Sequence, residues 1–270
     1  MELLNIMVVF DPTTEMQPAL ARARVIASRD DVKLHVFSCI FSEVGKSEDA
    51  AEQRRQLISA QKDIVENTVQ PLREAGIEVT TEIEWDEDWY QAVVRASISN
   101  QSDLVLKSSH KHSATQRLLK PTSDRTLLRQ CDCPVLLVKG EVDSGARRVL
   151  AAIDARTKSS SYEKLNGTIL EFCKRFLHMD NTDVHFVSAH EGLADRPDKG
   201  ALVRACGVDS ENVHIIMGDP DKVIVDTARS LEINFVVIGN SARTGLSALI
   251  NTNTAEKILD ELDCDVLALP

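Results

Sequence analysis

The chain is an internal duplication, and this repeat constrains its fold more than any single motif does. At a constant offset of 131 residues, glycine, cysteine and apolar runs of the first half coincide with equivalents in the second. One register kept over about 60 residues indicates that the same unit occurs twice. The 270 residues are therefore predicted to form two domains, 1–140 and 141–270. The matched pairs are Gly76 and Gly207, Leu104–Leu106 and Phe235–Val237, Leu127 and Ile258, and Cys133 and Cys264.

The second copy is shorter than the first. Asp11 matches Asp154 at an offset of 143 instead of 131, so the second half lacks a net 12 residues between its first strand and the common segment. The loss falls after the second strand, where Ser188–Ala205 replaces a span about twice as long. We expect a shorter and more open cover on the second domain.

Apolar runs and amphipathic runs alternate along the chain, which predicts an α/β fold. Strands joined by crossovers of helical length form parallel sheets. We therefore expect two tandem open sheets of five parallel strands, Rossmann-like in topology. In the first domain strands are predicted at Asn5–Phe10, Val32–Phe37, Ile77–Glu84, Asp103–Lys107 and Pro134–Val138, with helices at Gln17–Ser28, Ser47–Ala75, Trp89–Ser99 and Thr122–Gln130. Gly140–Gly145 is a polar linker, and Arg148–Asp154 begins the series again.

Charge and composition exclude several classes of protein. The net charge of −11 disfavours nucleic acids and anionic membranes as partners. No apolar run approaches the ~18 residues of a membrane span, and the N-terminus lacks a secretory pattern, so a cytoplasmic protein is predicted. The six cysteines are scattered, and the close pair Cys131 and Cys133 lacks the second pair that a zinc site requires. Structural, reduced thiols are expected, and no metal site.

Candidate ligand-binding residues follow the strands, because open parallel sheets bind ligands at the carboxyl ends of their strands. Asp11 and Asp154 follow the first strand of each domain. Lys107–His112 and Ile238–Arg243 follow the fourth strands. These four segments are predicted to meet at corresponding edges of the two sheets.

Together these motifs resemble the universal stress proteins. The resemblance rests on the Asp after the first strand, a fourth strand that opens a loop related to G-x2-G-x9-G-[S/T], and a last strand just after Cys133-Pro134 or Cys264-Asp265. It covers both halves and is greatest to the tandem universal stress protein E group. It implies an adenine nucleotide alpha hydrolase-like fold, with paired domains that associate through their last strands, Val135–Val138 and Val266–Leu269.

The resemblance also implies where ATP would bind. In the second domain the candidate nucleotide residues are Asp154, Val187, Ile238, Gly239, Ala242, Thr252, Asn253 and Thr254. The glycine motif there is represented by Gly239, Ala242, Thr252 and Asn253, so one of three glycines is retained. In the first domain the motif positions are Ser108, Lys111, Pro121 and Thr122, none of them glycine. ATP is therefore a candidate cofactor of the second domain alone, where Asn253 and Thr254 either contact a ligand or only cap a helix.

The first domain has a basic loop in place of the glycines. The segment from Lys107 to Arg129 contains six cationic residues and one anionic residue, Asp124, which gives it a local charge of +5. Such a loop either binds an acidic small molecule through its side chains or is a solvated surface. The candidate anion-binding residues are Lys107, His110, Lys111 and His112.

Support for catalysis is thin. No histidine has a spacing that pairs it with a nucleophile and an orienting carboxylate. His35 and His185 occupy matching strand positions, where a core or interface role is expected. Glu82–Asp88 is an acidic run around Trp85 that either coordinates a cation or forms a solvated loop, and alternation favours the loop.

These observations favour a non-catalytic stress-response protein that binds a small acidic or nucleotide-like ligand, a protein partner or a second copy through loops at the strand ends. The alternative is an ATP-binding regulator with weak ATPase activity in the second domain, which Asp154 and Gly239 favour. An adenine-nucleotide-dependent transferase would need a glycine loop after the first strand. Asp11-Pro12-Thr13 and Asp154-Ala155-Arg156 do not provide one.

Overall fold

The protein forms two compact units, described here from a computed structural model. The described residues up to Val138 belong to the first unit, and those from Lys139 onward belong to the second. This division lies one or two residues from the predicted domain boundary, which stays a prediction because residues 140–145 lie outside the described part. The structure describes residues 4–29, 31–43, 49–109, 123–139, 146–155, 160–240 and 258–270.

The first unit alternates strands with helices, as the apolar pattern predicts. Within its described residues the elements are β1 (Asn5–Val9), α1 (Pro18–Ala27), β2 (Lys33–Ile40), α2 (Ala50–Glu74), β3 (Val79–Trp85), α3 (Trp89–Ser99), β4 (Leu104–Ser108), α4 (Ser123–Gln130) and β5 (Val135–Val138).

The second unit repeats the pattern, with short 3₁₀ turns at Phe176–His178, Leu193–Asp195 and Ser210–Asn212. Its other described elements are β6 (Arg147–Ala152), α5 (Ser160–Lys174), β7 (Thr182–His190), α6 (Lys199–Cys206), β8 (Val213–Met217), α7 (Pro220–Ser230), β9 (Phe235–Gly239) and β10 (Asp265–Leu269).

The described residues of each unit form five parallel strands, which confirms the predicted fold class. The strand order is β3-β2-β1-β4-β5 in the first unit and β10-β9-β6-β7-β8 in the second. The central strands are buried over most of their length, and Val8 of β1 and Leu150 of β6 are completely buried. Near-continuous apolar strands of this kind are typical of parallel sheets with helices on both faces.

Strand β2 is longer than its sequence pattern predicts. The prediction ended at Phe37, but the strand continues through Ser38 and Cys39 to Ile40. Ser38 is completely buried, and its hydroxyl accepts a hydrogen bond from the side-chain amide of Gln61 on α2, 3.0 Å away. A buried polar residue with a partner is compatible with a central strand, although it interrupts the apolar pattern.

The missing residues of the second copy correspond to a shortened helix. Helix α2 has 25 residues and packs against β2 and β3 through one face that includes Val65, Val69 and Leu72. Its counterpart α6 has 8 residues, between a cap at Asp198 and the left-handed Gly207 (φ 70°). The predicted loss is thus confirmed, and it falls on the cover of the edge strand.

Candidate functional site

The candidate site of each unit lies where neighbouring strands diverge. In both sheets the first strand is central, with the second strand on one side and the fourth on the other. Helical connections leave such a strand in opposite directions, which opens a crevice at its carboxyl end. In the second unit this crevice adjoins Asp154 after β6, Val187 on β7, and Ile238 and Gly239 at the end of β9.

Helix α5 fixes the backbone of Asp154 in the second unit. The side-chain amide of Asn166 donates to the carbonyl of Asp154 over 2.7 Å, and its oxygen accepts from the Asp154 amide over 3.2 Å. The next amide, that of Ala155, donates to the hydroxyl of Ser188 over 3.4 Å. The position of Asp154 is therefore defined by side chains from two neighbouring elements.

The remaining described residues of this crevice are mostly apolar or small. Val187 and Ile238 are almost completely buried in β7 and β9. Asn240 follows β9 and is also buried. Its backbone amide donates a hydrogen bond to the backbone carbonyl of Leu269 over 2.7 Å. An apolar floor with a few oriented polar groups is the usual composition of a small-molecule site.

Gly239 is required by packing against α5. A Cβ atom at this position would lie 2.5 Å from Cδ2 and 2.6 Å from Cγ of Leu165. Contacts that short do not occur between carbon atoms, so helix α5 approaches the end of β9 this closely because residue 239 has no side chain. The glycine thus has a structural explanation that is independent of any phosphate.

Several predicted site residues lie outside the described residues. In the second unit these are Ala242, Thr252, Asn253 and Thr254, and in the first unit His110, Lys111 and His112. Their roles stay predictions. Of the predicted nucleotide residues, the structure places Asp154 just after β6 and Ile238 and Gly239 at the end of β9, whereas Val187 lies within β7, paired with Ala152 at the end of β6.

The first unit holds Asp11 with a similar side-chain amide. Gln17 donates to the carbonyl of Asp11 over 2.7 Å and accepts from its amide over 3.0 Å. The carboxylate of Asp11 accepts from the hydroxyl and the amide of Thr13, at 2.6 and 2.9 Å. The carboxylate of Asp11 therefore stabilises the turn that Asp11 forms with Thr13. The sequence analysis missed both Gln17 and Asn166, although an amide residue soon after each strand-end Asp was a detectable signal.

Side chains of the first unit occupy its strand-end crevice. Ser108, which stands at the position of Gly239, is buried, and its hydroxyl accepts from the amide of Ala19 in the first turn of α1, 3.1 Å away. The carboxylate of Asp124 lies 2.9 Å from the ammonium of Lys107 and accepts a hydrogen bond from the hydroxyl of Ser109. Only 6% of the Asp124 side chain and 14% of the Lys107 side chain are exposed.

This arrangement changes what is expected of Lys107. Besides its pairing with Asp124, its ammonium donates to the carbonyl of Ser108 over 2.8 Å and lies 5.6 Å from the ring centre of Trp89. A cation with these partners is already neutralised and oriented inward. In the second unit the position of Lys107 is taken by Ile238. Among the described residues, the two strand ends therefore differ in chemistry, since the first carries an ion pair where the second carries Ile238 and Gly239.

The matching histidines form different polar clusters on the two sheets. His35 contacts Thr80, Glu82 and Asn100 through its ring nitrogens, at 2.9, 3.0 and 3.1 Å. His185 places Nδ1 3.2 Å from Nε2 of His214 and Nε2 2.9 Å from the carboxylate of Asp183. Burial lowers the pKa of His214, and the neighbouring His185 and Lys199 lower it further.

Acidification is expected to destabilise the second unit through His214. Since the pKa of this histidine is lower in the folded chain than its ordinary value of 6.5, the unfolded chain is protonated first as the pH falls. The contribution of neutral His214 to the free energy of unfolding is full above about pH 6.5. It is lost as the pH falls toward the pKa of His214 in the folded chain. Thermal unfolding between about pH 7.5 and 5.5, followed by circular dichroism, should therefore show a steeper loss for the native chain than for His214→Gln.

The control for this experiment is His178→Gln, because His178 is exposed and lies outside the cluster. It should leave the pH dependence of the native chain unchanged. A slope that is identical in the native chain and in His214→Gln would contradict the assignment.

Two members of the predicted acidic run bind an arginine. Glu84 and Asp86 both contact the guanidinium of Arg95 on α3, each at 2.5 Å. The sequence pattern indicated a solvated loop, but the alternation of β3 directs these two carboxylates to the same side. An ion-paired corner is therefore found where a solvated loop was expected.

The cysteines are free thiols, and burial raises the pKa of several of them. Burial raises the pKa of Cys173 and of Cys206 to about 12, and that of Cys39 to about 11. Thiols with such pKa values stay protonated at neutral pH and are poor nucleophiles and metal ligands. Among the residues that the structure describes, no group of three or more His, Cys, Asp or Glu side chains is placed to hold a metal ion.

The comparison with known families settles the classification. The model of the universal stress protein family matches twice, over residues 3–139 and 146–270. The chain belongs to the universal stress protein family. Two tandem family domains are thus present, and the predicted resemblance is confirmed in both halves.

The most similar curated relatives extend over almost the whole chain. Universal stress protein E of Photorhabdus laumondii is 28% identical over 98% of this chain and 94% of its own length. The universal stress protein E homolog of Haemophilus influenzae is 27% identical over 100% and 98%. The tandem organisation of the universal stress protein E type is therefore shared along the full length.

Solved structures agree with this organisation. A functionally unknown protein from Pseudomonas aeruginosa PAO1 has a TM-score of 0.80 and 27% identity over 99% of this chain and 92% of that protein. A universal stress protein from Archaeoglobus fulgidus has a TM-score of 0.75 at 16% identity, over 98% and 95% of the two chains. Within the part of the chain that the structure describes, no helix is long and apolar enough to cross a membrane.

Proposed function

We propose that this tandem universal stress protein binds one nucleotide-like small molecule, in the crevice of its second unit, and acts by binding instead of catalysis. The observation that carries the proposal is the contrast between the two crevices. In the first unit Lys107, Ser108 and Asp124 fill the strand ends with an ion pair and a helix cap. In the second unit Ile238 and Gly239 stand at the positions of Lys107 and Ser108.

The apolar crevice suits the base and the sugar of a nucleotide. Val187 and Ile238 are apolar residues on the two strands that flank β6, and Asp154 after β6 adds a carboxylate whose backbone is fixed by Asn166. A carboxylate accepts hydrogen bonds from the exocyclic amine or the hydroxyl groups of a nucleoside. The retained Gly239 does not support a phosphate contact by itself, because its packing against Leu165 accounts for it.

An acidic ligand on the basic loop of the first unit is the less supported alternative. The structure commits Lys107 to Asp124, so such a site would depend on His110, Lys111 and His112, which lie outside the described residues. The proposal therefore places the ligand in the second unit. A cytoplasmic location and a homodimer stay predictions.

Titration calorimetry with AMP, ADP and ATP tests the proposal with a matched pair of variants. Asp154→Ala should weaken binding about tenfold or more, because a hydrogen bond to a charged group contributes about 1.5 kcal/mol or more. Asp11→Ala removes the equivalent carboxylate of the first unit and should leave the affinity unchanged. The same samples are assayed for released phosphate, and no turnover is expected.

Two outcomes would overturn the proposal. One is the absence of heat with all three nucleotides at millimolar concentration. The other is an equal loss of affinity in Asp154→Ala and Asp11→Ala, which would show that the second crevice is not the site. Steady release of phosphate that Asp154→Ala abolishes would instead support the ATPase alternative.

A further inference from the structure

The two units differ most at the corner where the edge strand meets the following helix. Helices α3 and α7 correspond residue by residue, since both have 11 residues and begin 131 positions apart, after Asp88 and Asp219. Strand β3 precedes α3, and β8 precedes α7. The same corner is thus present twice, with different side chains, and the first copy shows what can fill it.

In the first unit the corner is closed by the protein's own cation. The guanidinium of Arg95 on α3 contacts both Glu84 and Asp86, at 2.5 Å each. The ring of Trp85 is also covered, by Phe41 with the ring centres 6.0 Å apart and by the guanidinium of Arg54, 5.4 Å from its centre. The long helix α2 carries Arg54, so the cover and the ion pair act together.

In the second unit the same corner is open. The position of Arg95 is taken by Asp226, and the end of the strand carries Ile216 and Met217, with 38% and 64% exposure. A groove of about 550 Å³ lies along the end of β8 and the length of α7, as far as Ser230. Its lining includes Ile216, Met217, Val223, Asp219, Lys222 and Asp226.

The charges of the groove specify what would fit it. Lys222 is already paired with Asp219, the residue that precedes the helix, 3.0 Å away. No hydrogen bond or ion pair joins the carboxylate of Asp226 to another residue in the described ranges. The groove therefore has an apolar floor and an excess negative charge on its rim. A cationic side chain next to aliphatic ones complements both.

We propose that this groove docks a basic segment of another protein, in which an arginine or lysine is flanked by aliphatic residues. The cation pairs with Asp226 on the helix, and the aliphatic residues cover Ile216 and Met217. The charges are reversed relative to the first unit, where the helix supplies the cation, Arg95, and the strand end supplies the carboxylates of Glu84 and Asp86. A second copy of this chain is a poorer occupant, because two chains that each carry a net charge of −11 repel each other at long range. The groove lies at the edge of the sheet, whereas the nucleotide crevice is central.

Fluorescence anisotropy with a synthetic peptide tests the docking on the full-length chain. The probe is a fluorescein-labelled 12-residue peptide with two arginines among leucines and alanines, and its partner has glutamate in place of each arginine. We expect the arginine peptide to bind and the glutamate peptide to show no binding. The affinity should fall as salt is raised, because part of it comes from exposed charges.

Charge reversal on the helix identifies the groove as the site. Asp226→Arg restores the residue type of the first unit and should weaken peptide binding about tenfold or more, since an attractive contact becomes a repulsive one. Glu171→Arg is the matched control, with the same charge change at an exposed position of α5. Both positions are on the surface, and unchanged thermal unfolding verifies that the variants fold. Nucleotide titration on Asp226→Arg should match the native chain, so failure of the two proposals can be distinguished.

Four outcomes would overturn the docking proposal. The first is equal affinity of Asp226→Arg and Glu171→Arg for the arginine peptide, and the second is equal binding of the glutamate peptide. The third is concentration-dependent self-association in sedimentation velocity that Asp226→Arg abolishes, which would make a second copy the occupant. Absence of binding at millimolar peptide would also overturn it.

Discussion

Asp124→Ala is expected to lower the free energy of unfolding of the first unit by about 3 kcal/mol. The carboxylate of Asp124 is almost completely buried and faces the ammonium of Lys107 and the hydroxyl of Ser109. Its removal leaves a mostly buried cation without its counter-charge, which costs far more than the loss of an exposed pair. Urea unfolding followed by tryptophan fluorescence measures this unit alone, because the two tryptophans, Trp85 and Trp89, both belong to it.

Two further variants separate the charge effect from general damage. The double variant Lys107→Met with Asp124→Leu removes both charges and keeps apolar volume, so it should recover most of the lost stability. Glu87→Ala removes an exposed carboxylate of the same unit and should change stability by less than about 0.5 kcal/mol. A loss below about 1 kcal/mol in Asp124→Ala, or a double variant as unstable as the single one, would contradict a structural role for the pair.

The periodic elements of the fold were predictable, because burial imposes a simple pattern on them. Helix α3 begins at Trp89 and ends at Ser99, as predicted, and β1 and β4 agree to within one residue at each end. These segments are apolar on the faces that they bury. The prediction for β2 stopped early at a polar residue, Ser38, whose partner Gln61 comes from a helix 23 positions later. A one-dimensional pattern cannot identify such a partner.

The chemistry of the first crevice was not predictable from the count of charges. Six cations against Asp124 gave the loop a local charge of +5 and suggested an anion site. The count treats each charge as equally exposed, whereas folding buries Asp124 against Lys107. Similarly, Arg95 lies 11 positions from Glu84, and only the return of α3 along β3 brings them together. Side-chain pairings between elements depend on strand register and helix orientation, and neither can be inferred from the residues next to a position in the sequence.

The duplication itself supplied information that neither copy supplies alone. Equivalent positions face equivalent neighbours, so a difference between the copies points to a difference in role. The two crevices differ because Lys107 in the first copy corresponds to Ile238 in the second. The two corners differ because Arg95 corresponds to Asp226. Ser108 against Gly239 is more ambiguous, since a glycine at a strand end serves either a ligand or a packed helix.

Gly239→Ala separates these two roles, and we expect it to lower the free energy of unfolding by about 2 kcal/mol. The new Cβ would lie 2.5 Å from Cδ2 of Leu165, so the Leu165 side chain, helix α5 or the end of β9 must shift. Far-ultraviolet circular dichroism reports both units and tryptophan fluorescence only the first, so a transition that appears in the dichroism alone is assigned to the second unit. The double variant Gly239→Ala with Leu165→Ala removes the clash and should be less destabilised than the sum of the two single variants.

The same exchange at Gly167 is the control, because it lies on α5 and a Cβ there meets nothing within 4 Å. Gly167→Ala should be neutral or stabilising by up to about 1 kcal/mol, since alanine favours the helix. If Gly239→Ala instead leaves stability unchanged and weakens nucleotide binding, the glycine serves the ligand and the packing explanation is wrong. If stability falls and the double variant is less destabilised than the sum of the two single variants, the glycine is explained by α5, and the nucleotide proposal then depends on Asp154 and the apolar strand ends alone.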